Sequence, residues 1–183
     1  MTETHERRFN RAIEQLRAPD RVARLEVERV VQLTLENLTD AKTVLDIGTG
    51  TGLFAEAFAA RGLQVFGVDA NPEMLPEAQK FVPSGIFKES AAERLPFEAG
   101  KFDLAFMGLV LHETDDALKA LKETHRVATK RVAILEWPDE EQPFGPPREH
   151  RLSYEKITAL VRKAGFKNIN QLRLESLVLY RLE

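Results

Sequence analysis

Between Thr43 and Asp69 the sequence changes its apolar period three times, in an order that few folds accommodate. Thr43-Val44-Leu45-Asp46-Ile47 is a short, nearly unbroken apolar run of the kind that forms a strand buried on both faces. The alternating glycines Gly48, Gly50 and Gly52 follow. Leu53, Phe54, Ala57 and Phe58 then recur at helical spacing, Gly62 stops the helix, and Gln64 to Val68 is apolar again. Strand, glycine turn, helix, strand is a parallel crossover unit, and such units are almost always right-handed. A chain that contains one is committed to a sheet covered by helices.

The alternation continues downstream. Asn71 is placed to cap a helix with Pro72 at its first position, and Pro76, which removes a backbone bond one turn later, predicts a kink or a delayed start. Residues 86 to 89 carry a weak strand pattern, and Asp103 to Met107 and Arg131 to Glu136 carry stronger ones. Between the stronger pair a helix is expected from Asp116 to Val127, capped by Thr114 or Asp115. Ser153 caps a further helix that Gly165 ends. Ile169 to Leu174 and Leu177 to Leu182 are joined too tightly to be anything but antiparallel neighbours. Residues 1 to 40 read as helical, with Pro19-Asp20 dividing them. The expected fold is α/β: a Rossmann-like, mostly parallel seven-stranded sheet with helices on both faces and an antiparallel last strand.

Composition narrows the chemistry. The 183 residues, 43% hydrophobic and 30% charged, suit a single globular domain. There is no cysteine, which excludes disulfides, thiolate metal sites, iron–sulfur clusters and thiolate nucleophiles. A net charge of -3 argues against a phosphate-backbone partner, so no nucleic acid is expected. The longest apolar stretch, Leu104 to Leu111, is too short to span a bilayer, and the first eight residues hold no signal-like run, so no membrane partner and a cytoplasmic location are expected. No metal site is expected, and oligomeric state is left open.

The glycine turn and its acids point to a ligand. Glycine admits a sharp turn and lets a ligand approach the main chain. The spacing is Gly-x-Gly-x-Gly, with Leu53 where a dinucleotide binder would carry a further glycine. Asp69 stands 21 residues after Gly48 at the end of the second strand, where a carboxylate accepts ribose hydroxyls. Asp46, at the mouth of the first strand, is suited to pair with a cationic group, which adenosylmethionine has and a pyrophosphate lacks. The plainer alternative is a tight turn capped by the two acids, with no ligand.

Together with Ala92-Glu93-Arg94-Leu95-Pro96-Phe97 and Lys101-Phe102-Asp103-Leu104, these residues make the chain resemble a class I S-adenosylmethionine-dependent methyltransferase of the type-11 group, which includes quinone-biosynthesis enzymes. The resemblance extends over almost the whole chain. It implies S-adenosylmethionine as cofactor, S-adenosylhomocysteine as product and a small-molecule acceptor. It assigns the methionine part to Gly48, Thr49 and Gly50, the ribose to Asp69 with Ala70 beside it, and the adenine to Ala91, Ala92 and Glu93, with Met74 on the adenine face. Ala91 stands where relatives usually carry an Asp, which leaves the adenine amino group to backbone, Glu93 or water. Past strand four, where similar enzymes face their acceptor, His112 is the candidate base, with Glu113 to orient or tune it. His125 reads as structural on the buried face of its helix, and His5 lies in a tail. The long loop after strand five, with Trp137, Phe144 and Arg148, and the segment Arg8-Phe9-Asn10 are expected to shape and cover the acceptor pocket. Residues 1–40 thus form a helical lid on a 41–183 core within one domain. A non-catalytic adenosylmethionine-binding sensor or partner subunit is the second reading, and a nicotinamide-dependent oxidoreductase the third.

Overall fold

The computed structural model describes residues 13–183. Seven strands, β1 (Thr43–Ile47), β2 (Gln64–Asp69), β3 (Ile86–Glu89), β4 (Phe102–Gly108), β5 (Ala128–Glu136), β6 (Ile169–Arg173) and β7 (Val178–Leu182), form one sheet in the order β3-β2-β1-β4-β5-β7-β6. The pairings from β3 through β5 are all parallel. β7 returns antiparallel between β5 and β6. The helices are α1 (Pro19–Leu25), α2 (Val27–Leu35), α3 (Leu53–Ala60), α4 (Met74–Phe81), α5 (Ala117–Val127) and α6 (Tyr154–Ala164).

Period-two alternation divides the core. From β1 and β4, Leu45, Ile47, Ala105 and Met107 face α5 and α6, while Val44, Leu104 and Phe106 face α2 and α3. Both faces are apolar, which is why these strands read as continuous runs. Asp46 shares the α3 face with Val44, an acid inside an otherwise apolar layer. The chain leaves β1 toward β2 and β3, then crosses back to place β4 on β1's other side, so the crevice at the carboxyl ends of β1 and β4 is the topological switch point.

Three local expectations are corrected. Asp116, rather than Thr114 or Asp115, caps α5: its side chain accepts the Lys119 N–H at 2.9 Å. The Thr114 hydroxyl donates instead to the Leu111 carbonyl, and the Asp115 N–H is taken by Glu93. Asn71 caps a turn rather than the helix, accepting the Glu73 N–H, and Pro72 lies before α4, whose expected delayed start falls at Met74 and puts Pro76 in the first turn where its missing N–H has no intrahelical partner. The amino-terminal helical region breaks a second time at Glu26, whose left-handed backbone (φ 46°) turns α1 into α2. Glu26 is held there by its own carboxylate, which accepts from Arg29 and from the Glu175 N–H. His5 and Arg8-Phe9-Asn10 lie outside the described residues.

Candidate active site

At the switch point the loops after β1, β2, β3 and β4 surround a cavity of about 690 Å³, closed further by α1, Trp137 and the stretch 145–150. Small-molecule sites span roughly 300–1,000 Å³. Gly48, Thr49, Gly50, Asp69, Ala70, Met74, Ala91, Ala92, Glu93, His112 and Glu113 all line this one cavity.

One wall is built from main chain. The N–H groups of Gly48 and Thr49 both donate to the Val68 carbonyl, at 2.8 and 2.9 Å, so the glycine loop folds back over the end of β2. Gly50 has φ +52°, a Cβ placed on it would meet nothing within 4 Å, and its N–H donates to Asp69 Oδ2 at 2.8 Å. Asp69 Oδ1 accepts the Asn71 N–H at 2.9 Å. A carboxylate has about four acceptor sites, so capacity remains for a hydroxyl in the cavity. Burial raises the Asp69 pKa, opposed by the N–H groups of Asn71, Gly50 and Ala70.

Asp46 is placed elsewhere. It is 2% exposed and does not line the cavity; its Oδ2 accepts the Thr49 hydroxyl at 2.8 Å, so it braces the loop from behind. The expected direct pairing with a cationic ligand is therefore not available to it here. Burial pushes its pKa up to about 7, against the Thr49 hydrogen bond and with the Asp69 charge adding to the rise. Glu93 lines the cavity but is also a strut: its Oε1 accepts the N–H groups of Asp115 and Asp116 at 2.8 and 3.3 Å, tying the loop after β3 to the start of α5.

The opposite wall depends on side chains. His112 sits in the 3-10 turn Leu111–Glu113 that follows β4. Its Nδ1 lies 2.8 Å from Glu136 Oε2, and its backbone N–H donates to Glu136 Oε1 at 3.1 Å. Glu113, the neighbour expected to orient the ring, stands 3.7 Å from Nε2, beyond hydrogen-bond distance. Burial lowers the proton affinity of His112, yet the charge and hydrogen bond of Glu136, and then the charge of Glu113, raise it on balance, with Arg151 opposing. Sequence reading passed over Glu136; its signal was a carboxylate ending the apolar run Val132 to Leu135 beside the strand that carries His112.

Arg151 was missed as well. Its buried guanidinium donates to the carbonyls of Pro138, Glu140, Phe144 and Pro146 and to Gln142 Oε1, so the loop after β5 is wrapped round it. Trp137 lines the cavity. Phe144 lies behind it at 5.9 Å between ring centroids, covered by the Arg24 guanidinium at 4.4 Å, and Arg148 pairs with Asp139 outside the cavity. Arg17 pins the amino-terminal segment to the glycine loop and α3 through the Thr51 carbonyl and Glu56. His125 is exposed rather than buried and stands edge-on to Phe166. Among the described residues no group of three His, Asp or Glu side chains is placed to hold a metal ion, and no helix is long and apolar enough to cross a membrane.

A family profile for a methyltransferase domain matches residues 45–135. An uncharacterized methyltransferase of Synechocystis is 39% identical over 128 residues, covering 66% of this chain and 60% of that protein. Demethylmenaquinone methyltransferase of Chlorobaculum tepidum is 39% identical over 85 residues, covering 46% of this chain and 35% of that one. The chain thus matches between 35% and 60% of the length of these curated relatives. Among solved structures, a SAM-dependent methyltransferase from Aquifex aeolicus superposes with a TM-score of 0.82 at 26% identity, over 93% of this chain and 95% of that one.

Proposed function

We propose that the chain, which matches a methyltransferase-domain profile over residues 45–135 and superposes on a SAM-dependent methyltransferase, is a cytoplasmic enzyme that takes S-adenosylmethionine as cofactor and methylates a small molecule. The observation that carries this reading is the hydrogen bond between the Gly50 N–H and Asp69, which brings the bare main chain and the ribose acid to one wall of a cavity whose other wall holds His112.

The residues present fit the cofactor. Asp69 keeps acceptor capacity for a ribose hydroxyl, Gly50 offers main chain bordering open space, and Met74 with Ala91 and Ala92 supplies small or apolar surface for a planar base. When bound, the cofactor supplies an electrophilic methyl group on a sulfonium. Everything else is the work of this chain. Transfer from a sulfonium disperses charge, so alignment and water exclusion dominate over oxyanion-type stabilisation. Trp137, the Gly145–Pro147 stretch and α1 exclude water and, with the 3-10 turn Ile13–Arg17 before α1, form the lid segment over the core. Asp46 and Arg17 hold the glycine loop in place from outside the cavity.

Calorimetry with S-adenosylhomocysteine tests the reading directly. Binding is expected in the wild type, and Asp69→Ala should weaken it by about 1–3 kcal/mol through loss of charge-assisted hydrogen bonds. No heat from the wild type at high micromolar ligand overturns the proposal. Unchanged affinity in Asp69→Ala overturns the ribose assignment alone.

A further inference from the structure

We propose that Glu136 is a positioning residue that holds His112 with Nε2 toward the cavity as a proton acceptor, and that the methyl acceptor is therefore a hydroxyl or amine that sheds a proton as it is methylated. This rests on the methyl-transfer reading above.

The geometry is a two-point grip. Glu136, 1% exposed at the end of β5, takes the backbone N–H of His112 on Oε1 and faces its ring Nδ1 with Oε2, so one carboxylate fixes both the main chain and the ring of the same residue. The Trp137 N–H also donates to Oε2, at 3.3 Å. Each oxygen thus already accepts a backbone N–H, and the ring nitrogen completes the set as a further donor. An imidazole that donates from Nδ1 carries its lone pair on Nε2 when neutral. Since the Nδ1 edge is turned to Glu136 and His112 lines the cavity, the Nε2 edge is the one left for a ligand.

The charged groups around the ring agree with a base. Glu136 from β5 and Glu113 from the same turn favour the protonated ring, and Arg151 from the loop before α6 opposes it. Behind Glu136 stands Tyr180 of β7, whose phenol burial and the Glu136 charge push up to about 12, so it stays neutral and adds no charge of its own. A base with proton affinity near the working pH is the most effective kind. From a hydroxyl, the O–H proton passes to Nε2 and the electron pair so freed forms the new bond to the methyl carbon. A neutral amine forms that bond with its own lone pair, and Nε2 takes the N–H proton of the ammonium that results. In both, the pair of the broken carbon–sulfur bond stays on sulfur. A tertiary amine or a thioether has no proton to give and makes no use of this arrangement. Phenols, enols and primary amines do.

The test is long-range proton–nitrogen NMR of the uniformly nitrogen-15-labelled protein from pH 5 to 9, with His112→Ala to assign the signal. The neutral wild-type ring should be the Nδ1–H form. Glu136→Gln should reduce its proton affinity by about tenfold or more, and Glu113→Gln by less. A wild-type ring protonated on Nε2 overturns the proposal without any variant having to fold. So does an unchanged proton affinity in a Glu136→Gln protein that still binds S-adenosylhomocysteine. Absence of S-adenosylhomocysteine binding by the wild type overturns the methyl-transfer reading, and the acceptor class with it, whatever tautomer is seen.

Discussion

The two walls of the cavity are held by different means. On the side proposed for the cofactor, the loop after β1 is joined to the end of β2 by its backbone N–H groups: Gly48 and Thr49 to the Val68 carbonyl, and Gly50 to the Asp69 carboxylate. On the acceptor side, the ring of His112 hangs on a carboxylate 24 residues away, and the loop after β5 is wrapped around one guanidinium. On the proposed reading, main chain holds the cofactor, the ligand that stays the same whatever the acceptor. Side chains on a separable loop leave the other half open to change without disturbing the first. The halves touch where Val110 packs against Gly48.

That point of contact is where the largest effect is expected. A Cβ on Gly48 would lie 2.1 Å from Val110 Cγ2, on a backbone with φ +69°. Gly48→Ala therefore combines overpacking with a left-handed penalty and should cost about 3–4 kcal/mol. Gly50→Ala meets no neighbour and should cost only the conformational term, about 1–2 kcal/mol. Urea unfolding of both variants measures the difference. Equal losses mean that the two walls are not in contact at Gly48.

Arg151→Ala comes next. It strips four carbonyls and the Gln142 side chain of their shared donor. A loss of about 3 kcal/mol is expected, because buried acceptors left unpaired are costly. If the walls are as separable as their bonding implies, S-adenosylhomocysteine affinity should change by less than about threefold, since no Arg151 contact reaches the cofactor wall. A large drop in that affinity breaks the division into two halves.

The same division governs what could be read in advance. The crossover unit, the late start of α4, the Ser153 cap and the β6–β7 hairpin all rest on neighbours in sequence, and each has the expected form. Asp69 could be located because strand length sets its distance from the glycines. Glu136 and Arg151 were invisible because their partners are brought to them only by strand order and loop closure. The α5 cap falls one residue later than expected, at Asp116, in a segment that Glu93 from a different loop ties down through the N–H groups of Asp115 and Asp116. Asp46 was correctly seen at the strand mouth, but which way it faces follows from the pleat, which sends it with Val44 toward α3.

The pH dependence of stability offers the mildest way to separate the walls, because Asp46 behind one and His112 in the other titrate in successive windows. Asp46 has a folded pKa of about 7 against an ordinary 3.8, so between those values the native state keeps a proton that the unfolded chain has released, and stability falls as pH rises. His112 is also raised, from an ordinary 6.5, so its contribution is fully present below that value and is lost as pH climbs through its folded pKa. Asp46→Asn keeps an acceptor for the Thr49 hydroxyl and has no proton to lose. It should abolish a fall of roughly 2 kcal/mol between about pH 5 and 7 while leaving the decline above it intact. Thermal unfolding of both proteins across pH 4 to 9 shows whether the lower window alone disappears. Loss of both windows in the variant means that Asp46 and His112 titrate as one unit across the Gly48–Val110 contact.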